Sequence, residues 1–172
     1  QRRQTLLERL EESERSQCNF RIIYEDHFST YPPDIKSGYM ALNIDKVINA
    51  IIFFCLEGVF KTKLNKLLFY VDFKHFKDHS SSITGLRYAK LTHGPVPDNY
   101  DHYFAFLQHE EKTLKVEEEK VYDYFGEVLI SEIGPDLSCF TKEEYETLEA
   151  VKTYFKKFSA TEIREFSHKE PG

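Results

Sequence analysis

Three groups of residues in this 172-residue chain have types and spacings that could do chemistry. His75 and His79 are four apart, the spacing at which one helix presents two imidazoles to a metal ion. The intervening Phe-Lys-Asp lacks the glutamate of the His-Glu-x-x-His zinc pattern, and no complete ligand set surrounds the pair. Both therefore read as ordinary surface histidines, and neither a metal nor another cofactor is expected. His93, in the run His-Gly-Pro-Val-Pro, could act as acid, base or ligand, or could fix a turn by hydrogen bonding. The sequence nominates no nucleophile beside it. Ser167-His168 has the types of a nucleophile and its base, but adjacent residues on a helix point about 100° apart and do not form a dyad with each other. Asp72 combined with any glutamate is weak evidence for acid–base work in so acidic a chain. The seven glycines are scattered and build neither a dinucleotide fingerprint nor a P-loop. These residues do not assemble an enzyme.

Charge and cysteine usage narrow the class further. The formal net charge is −6, which argues against this chain gripping a phosphate backbone and favours a basic protein as partner. Lys61, Lys63 and Lys66 form one local basic run at a helix start, explained by helix-end geometry and solvation or by a nucleic-acid contact. Cys18, Cys55 and Cys139 are far apart and odd in number, which is the usage of a reduced, cytoplasmic protein. Neither a membrane span nor a signal peptide is visible. Fifteen Phe, eleven Tyr and no Trp mean that Phe and Tyr supply much of the packing. The opening without Met, on a charged helix, reads as the inside of a longer protein.

The elements that must position these residues centre on 61–97. Leu64, Leu67, Leu68 and Val71 make one apolar helical face, and Phe69, Phe73 and Phe76 a second, so this helix should be central and buried on two sides. Asp72 lies among those aromatics and needs a hydrogen-bond partner. Residues 83–91 read as a strand with Gly85 as a bulge. Residues 93–97 read as a rigid corner in which Gly94 is the one residue free to take a positive φ and Pro97 opens the next helix, striped by Tyr100, Tyr103, Phe104 and Leu107.

Around this centre, residues 1–16 read as a helix with a narrow Leu6, Leu7, Leu10 stripe, either a solvated connector or a homodimer-forming element. Residues 16–42 read as an aromatic linker draped on the domain. Asn43 caps a helix carrying Ile44, Val47, Ile48, Ile51, Ile52 and Cys55, ended by Gly58. Residues 114–118 and 126–133 alternate like a hairpin that could extend the 83–91 strand into one sheet. Glu117, Glu118, Glu119 and Lys120 are either a solvated edge or an acidic contact patch. Thr141 with Glu144 and Ser159 with Glu162 form capping boxes that open the last two helices. The fold class is α+β, mainly α-helical, with about six helices and a small antiparallel sheet or hairpin. The boundaries are 1–42 for connector and linker and 43–172 for the domain.

The runs KTKLNKLLFYVDF, SITGLRY and HGPVP, followed by FSATEIREFSHKE, resemble the Panacea (SocA-like) antitoxin domain over roughly residues 38–171. The likeness is closest to the version that follows an MqsA-like DNA-binding region in bacterial and phage proteins. The resemblance implies the antitoxin of a type II toxin–antitoxin system, a non-enzyme that neutralises a cognate toxin by direct binding. The family also accommodates a proteolytic adaptor that delivers a toxin to a protease. An autoregulatory transcription factor would act through the upstream region, the only route to nucleic acid. The candidates on the matching blocks are Lys66, Tyr70, Asp72, His93, Gly94, Pro95, Pro97 and His168, taken as exposed toxin-contacting residues or as residues that hold the fold. Ser167-His168-x-Glu170 is the family's closing signature, which usually continues to a Trp that this chain lacks.

Overall fold

The computed structural model describes residues 31–170. Five α-helices, a three-stranded antiparallel sheet and a separate two-stranded hairpin make an α+β fold that is mainly helical. The helix expected over residues 1–16 lies outside the described residues, as does the linker up to residue 30.

Helix α1 spans Ile44–Cys55 and starts where the sequence places it, with the Asn43 side chain accepting from the Lys46 amide at 3.1 Å. Its stripe of Val47, Ala50, Ile51 and Cys55 is fully buried. A two-residue strand, β1 (Val59–Phe60), separates it from α2 (Lys61–His79). Helix α2 is central: it packs on α1, on strand β3 (Gly94–Pro97), and on the last two helices, α4 (Lys142–Phe155) and α5 (Ala160–His168). Leu64, Leu67, Leu68, Phe69 and Val71 are buried as expected, whereas Phe73 on the second face is half exposed. Both capping boxes form, with Thr141 and Ser159 each exchanging bonds with the glutamate three residues on.

The β structure departs from expectation in three ways. First, the strand expected over 83–91 shrinks to β2 (Tyr88–Leu91), because the amides of Ile83 and Thr84 are spent on the Asp72 carboxylate rather than on a ladder. Second, 93–97 is no corner. Gly94–Pro97 is strand β3, which pairs antiparallel with β2 around a two-residue turn at Thr92-His93. Pro95 and Pro97 are tolerated there because they oppose Lys90 and Tyr88. With Leu91 opposite Gly94 closing the turn, those are the pairs whose amides point away from the partner strand. Pro97 therefore ends a strand rather than opening a helix; α3 (Tyr100–Ala105) begins after Asn99 and runs into a π-helical turn at Phe106–Glu110.

Third, the long hairpin β4 (Leu114–Val121) and β5 (Tyr124–Ser131) does not join β2. It pairs instead with β1, in the order β1-β5-β4. A two-residue strand such as β1 carries no readable alternation, which is why its pairing was invisible.

Residues 31–42 lie against the loop that follows α2. The Gly38 carbonyl accepts from the Ser82 amide at 3.0 Å, the Thr84 carbonyl accepts from Asn43 at 2.8 Å, and Arg87 pairs with Asp34 at 3.1 Å. Gly85, at φ +73°, lets this contact close: a Cβ there would overlap the Ala41 carbonyl. Gly85→Ala should therefore cost about 2–4 kcal/mol, lowering the melting temperature by roughly 5–15 °C. Gly134→Ala, where a Cβ meets nothing within 4 Å, should melt like the parent. Thermal melts of the two variants check this.

Candidate functional site

Two polar clusters join the parts of the chain that carry the sequence motifs. The first is built on Asp72, which α2 buries at 2% exposure. Its Oδ1 accepts from the Ile83 and Thr84 amides, both at 2.9 Å. Its Oδ2 accepts from the Thr84 and Tyr88 hydroxyls, both at 2.5 Å. Four donors saturate a carboxylate, so this group has no lone pair left for a substrate proton. Burial raises the Asp72 pKa, and the bonds from Thr84, Tyr88 and Ile83 pull it back without cancelling the rise. Burial, followed by the neighbouring carboxylate, pushes the Tyr88 phenol well above its ordinary range, so Tyr88 stays a donor. Asp72 is a tie between helix and loop.

The second cluster surrounds Lys66, six residues earlier on α2. Lys66 is 1% exposed, not the solvated lysine expected of a basic run. Its ammonium donates to the Pro95 carbonyl at 2.7 Å and, among the described residues, has no carboxylate partner. Burial, with a smaller contribution from the Arg164 charge, lowers its pKa to about 8. Gly94 faces it at φ +90°, as the sequence anticipated. A Cβ on Gly94 would lie 2.8 Å from Ser167 Oγ and 3.0 Å from Lys66 Nζ. Ser167 is itself buried, and its hydroxyl donates to the Arg164 carbonyl at 2.7 Å. Three separated motifs, on α2, β3 and α5, thus meet at one glycine.

Of the eight candidates, Lys66, Tyr70, Asp72, Gly94 and Pro97 are buried and cannot be the exposed contacts expected of them; Pro95 is half-buried. His93, on the hairpin turn, and His168, at the end of α5, are exposed. Each follows or precedes a member of the buried Gly94–Ser167 contact, so the two belong to one end of the molecule. Tyr70 lies on the floor of an apolar groove of about 740 Å³ between α2, α4 and α5, bordered by the exposed Phe73 and Tyr154. Its buried hydroxyl has no hydrogen-bond partner. Thr84 and Tyr88 were missed as site members, and Ser167 was singled out only as part of the closing Ser-His-x-Glu signature. Their roles depend on which backbone they meet, and side-chain type does not carry that.

The paired histidines do not behave as a surface pair. His75 is buried, and its Nδ1 donates to Thr147 Oγ1 at 3.0 Å, since the threonine hydrogen is committed to the Glu143 carbonyl. Its ring stacks on His79 at 4.3 Å. Burial, then the neighbouring His79, holds its pKa below the usual value. No group of three or more metal-ligating side chains occurs among the described residues.

The family model described as "Antitoxin SocA-like, Panacea domain" matches residues 64–172, the part of the chain that contains all three converging motifs. The chain belongs to this family. No curated protein and no solved structure matches it. In this Panacea domain the matched region begins at Leu64, yet its packing draws in α1 and β1, which precede it. No helix among the described residues is long and apolar enough to cross a membrane.

Asp72→Asn should turn an amide NH₂ toward donors and forfeit about two charge-assisted bonds, a loss of roughly 3–5 kcal/mol readable by urea denaturation. Lys66 makes a pH-dependent contribution of opposite sense to a salt bridge. Its folded pKa, about 8, lies below the unfolded value of about 10.5, so the fold penalises the ammonium below pH 8 and is relieved as pH rises toward 10.5. The stability of the parent relative to Lys66→Met should therefore increase between pH 8 and pH 10, measured by denaturant titration at each pH.

Proposed function

We propose that this Panacea domain is the toxin-neutralising part of a type II antitoxin and acts stoichiometrically, in the cytoplasm, by binding its cognate toxin directly. Membership of the antitoxin family is the observation that carries the reading, and it supports an antitoxin-like role with a toxin as partner. The geometry is in keeping with it. The polar residues that could have served chemistry are consumed internally: Asp72 is saturated, Ser167 bonds the Arg164 carbonyl, and the Lys66 ammonium holds the Pro95 carbonyl. What is left for a partner is surface. The binding unit is taken as residues 43–172, with the segment before it acting either as connector to a DNA-binding region or as a dimerising element.

In this reading Lys66, Asp72, Gly94 and Ser167 work by holding the hairpin and α5 in register, and His93 and His168 are contact residues. Co-expression with the product of the neighbouring reading frame tests it. The parent chain should restore growth. The double variant His93→Ala/His168→Ala should rescue poorly while melting like the parent, because both side chains are exposed. Gly94→Val should lose rescue together with thermal stability, because its Cβ enters the space of Ser167 and Lys66. A neighbouring product that is harmless, or a parent chain that fails to rescue, would overturn the proposal.

A further inference from the structure

The β4–β5 hairpin carries an anomaly that the fold does not use. At its tip, Tyr122 is 90% exposed, Phe125 68% and Tyr124 53%. Three adjacent large aromatics in water are the opposite of what a solvated turn needs; Asn, Asp and Gly would form it more easily. Tyr122 even holds φ at +55°, a conformation that costs a bulky residue. Asp123 in the turn itself, and Glu117, Glu118, Glu119 and Glu127 behind it, are all exposed. Two lysines share this hairpin, and one of them, Lys115, is bound to Glu117 at 2.9 Å. Glu127 pairs with Lys61 at 3.4 Å. Glu118, Glu119 and Asp123 have no ion-pair partner among the described residues.

The register distributes these groups in a definite way. Phe125 opposes Lys120 and shares its face with Glu118, which opposes Glu127. Tyr124 opposes Val121 and shares the other face with Glu119. Each face of the ribbon therefore has an aromatic ring near the tip and a carboxylate behind it. That is a wedge with acidic shoulders, shaped to enter a cleft rather than to lie on a flat surface.

We propose that this hairpin is the surface that captures the toxin: Tyr122, Tyr124 and Phe125 enter an apolar cleft, and Glu118, Glu119 and Asp123 pair with lysine or arginine side chains that rim it. The proposal rests on the antitoxin reading above and names where the partner binds and of what charge it is. Charge selects the occupant. A second copy of the chain paired antiparallel along β4 and centred on Glu118 would set Glu117 against Glu119 and Glu118 against itself, and like charges facing each other across strands repel. A basic partner meets the same edge with complementary charge, and the net charge of −6 draws it in. Buried aromatic anchors inside a charged rim are the usual composition of an interface hot spot.

The test uses the full chain and the purified toxin encoded beside it, with binding measured by titration calorimetry from 50 to 500 mM salt. The parent should bind more weakly as salt rises. Tyr122→Ser/Phe125→Ser should bind at least tenfold more weakly at every salt concentration. Glu118→Lys/Glu119→Lys should bind at least tenfold more weakly at low salt and lose most of the salt dependence. Circular dichroism melts should leave both variants unchanged, since the altered side chains are exposed. Affinities within twofold of the parent, beside a parent that binds and rescues, would overturn the docking surface and leave the antitoxin reading intact. A parent that neither binds nor rescues would overturn the antitoxin reading itself.

Discussion

A single buried carboxylate sets the geometry on which the rest of this domain depends. Asp72 sits on the central helix among aromatic rings, where a charge is tolerated only if every lone pair is met. The chain meets them with the two amides of Ile83 and Thr84 and the two hydroxyls of Thr84 and Tyr88. That arrangement folds residues 82–88 back onto α2 and ends any strand before Tyr88. It also fixes where β2 begins, and hence where the β2–β3 turn brings Gly94. One turn and a half earlier on the same helix, Lys66 reaches the Pro95 carbonyl and locks the returning strand. The two polar contacts clamp both strands of the hairpin to one helix.

The second contact is less comfortable than the first. Asp72 has four donors, whereas the Lys66 ammonium has one carbonyl and a repelling Arg164 nearby. An isolated buried ammonium lowers its pKa rather than bear full desolvation, and Lys66 does so. The absence of a side chain at Gly94 gives the ammonium room, and the Ser167 hydroxyl occupies the rest of that space. Stability and placement here are coupled: the closing helix can seat only if the hairpin, the lysine and the glycine are already in position. In the toxin-binding role proposed above this is useful, because rigid elements hold contact residues in one orientation and lower the entropy lost on association.

The aromatic content follows the same division between scaffold and surface. Tyr70, Phe155, Phe158 and Phe166 interlock at centroid separations from 4.6 to 5.8 Å and seat α4 and α5 on α2. Phe73 and Tyr154 border a groove, and Tyr122, Tyr124 and Phe125 stand in water. The first set is accounted for by packing, and Phe73 and Tyr154 still lean on it, with Phe73 4.0 Å from Phe69 and Tyr154 4.8 Å from Phe155. The three hairpin-tip rings are the ones that the fold leaves in water.

Local chemistry was enough to read the helices. Asn43, Thr141 and Ser159 cap because their side-chain oxygens reach amides two or three residues on, and the apolar stripe of α1 needs only its own period. The demand that Asp72 be bonded and the positive φ at Gly94 were equally legible, since each follows from one residue and its immediate neighbours. Tertiary structure alone decided what those residues meet. That Ile83 and Thr84 spend their amides on a side chain, that two residues at Val59–Phe60 become the strand on which the long hairpin docks, and that Lys66 lies inside rather than on the basic surface are all outcomes of contacts between distant segments. The same holds for the meeting of Lys66, Gly94 and Ser167. A sequence specifies the hydrogen-bonding capacity and apolar area of each residue; which donor meets which acceptor depends on the packing of helices and strands far apart in the chain, where burial makes each unmet group costly.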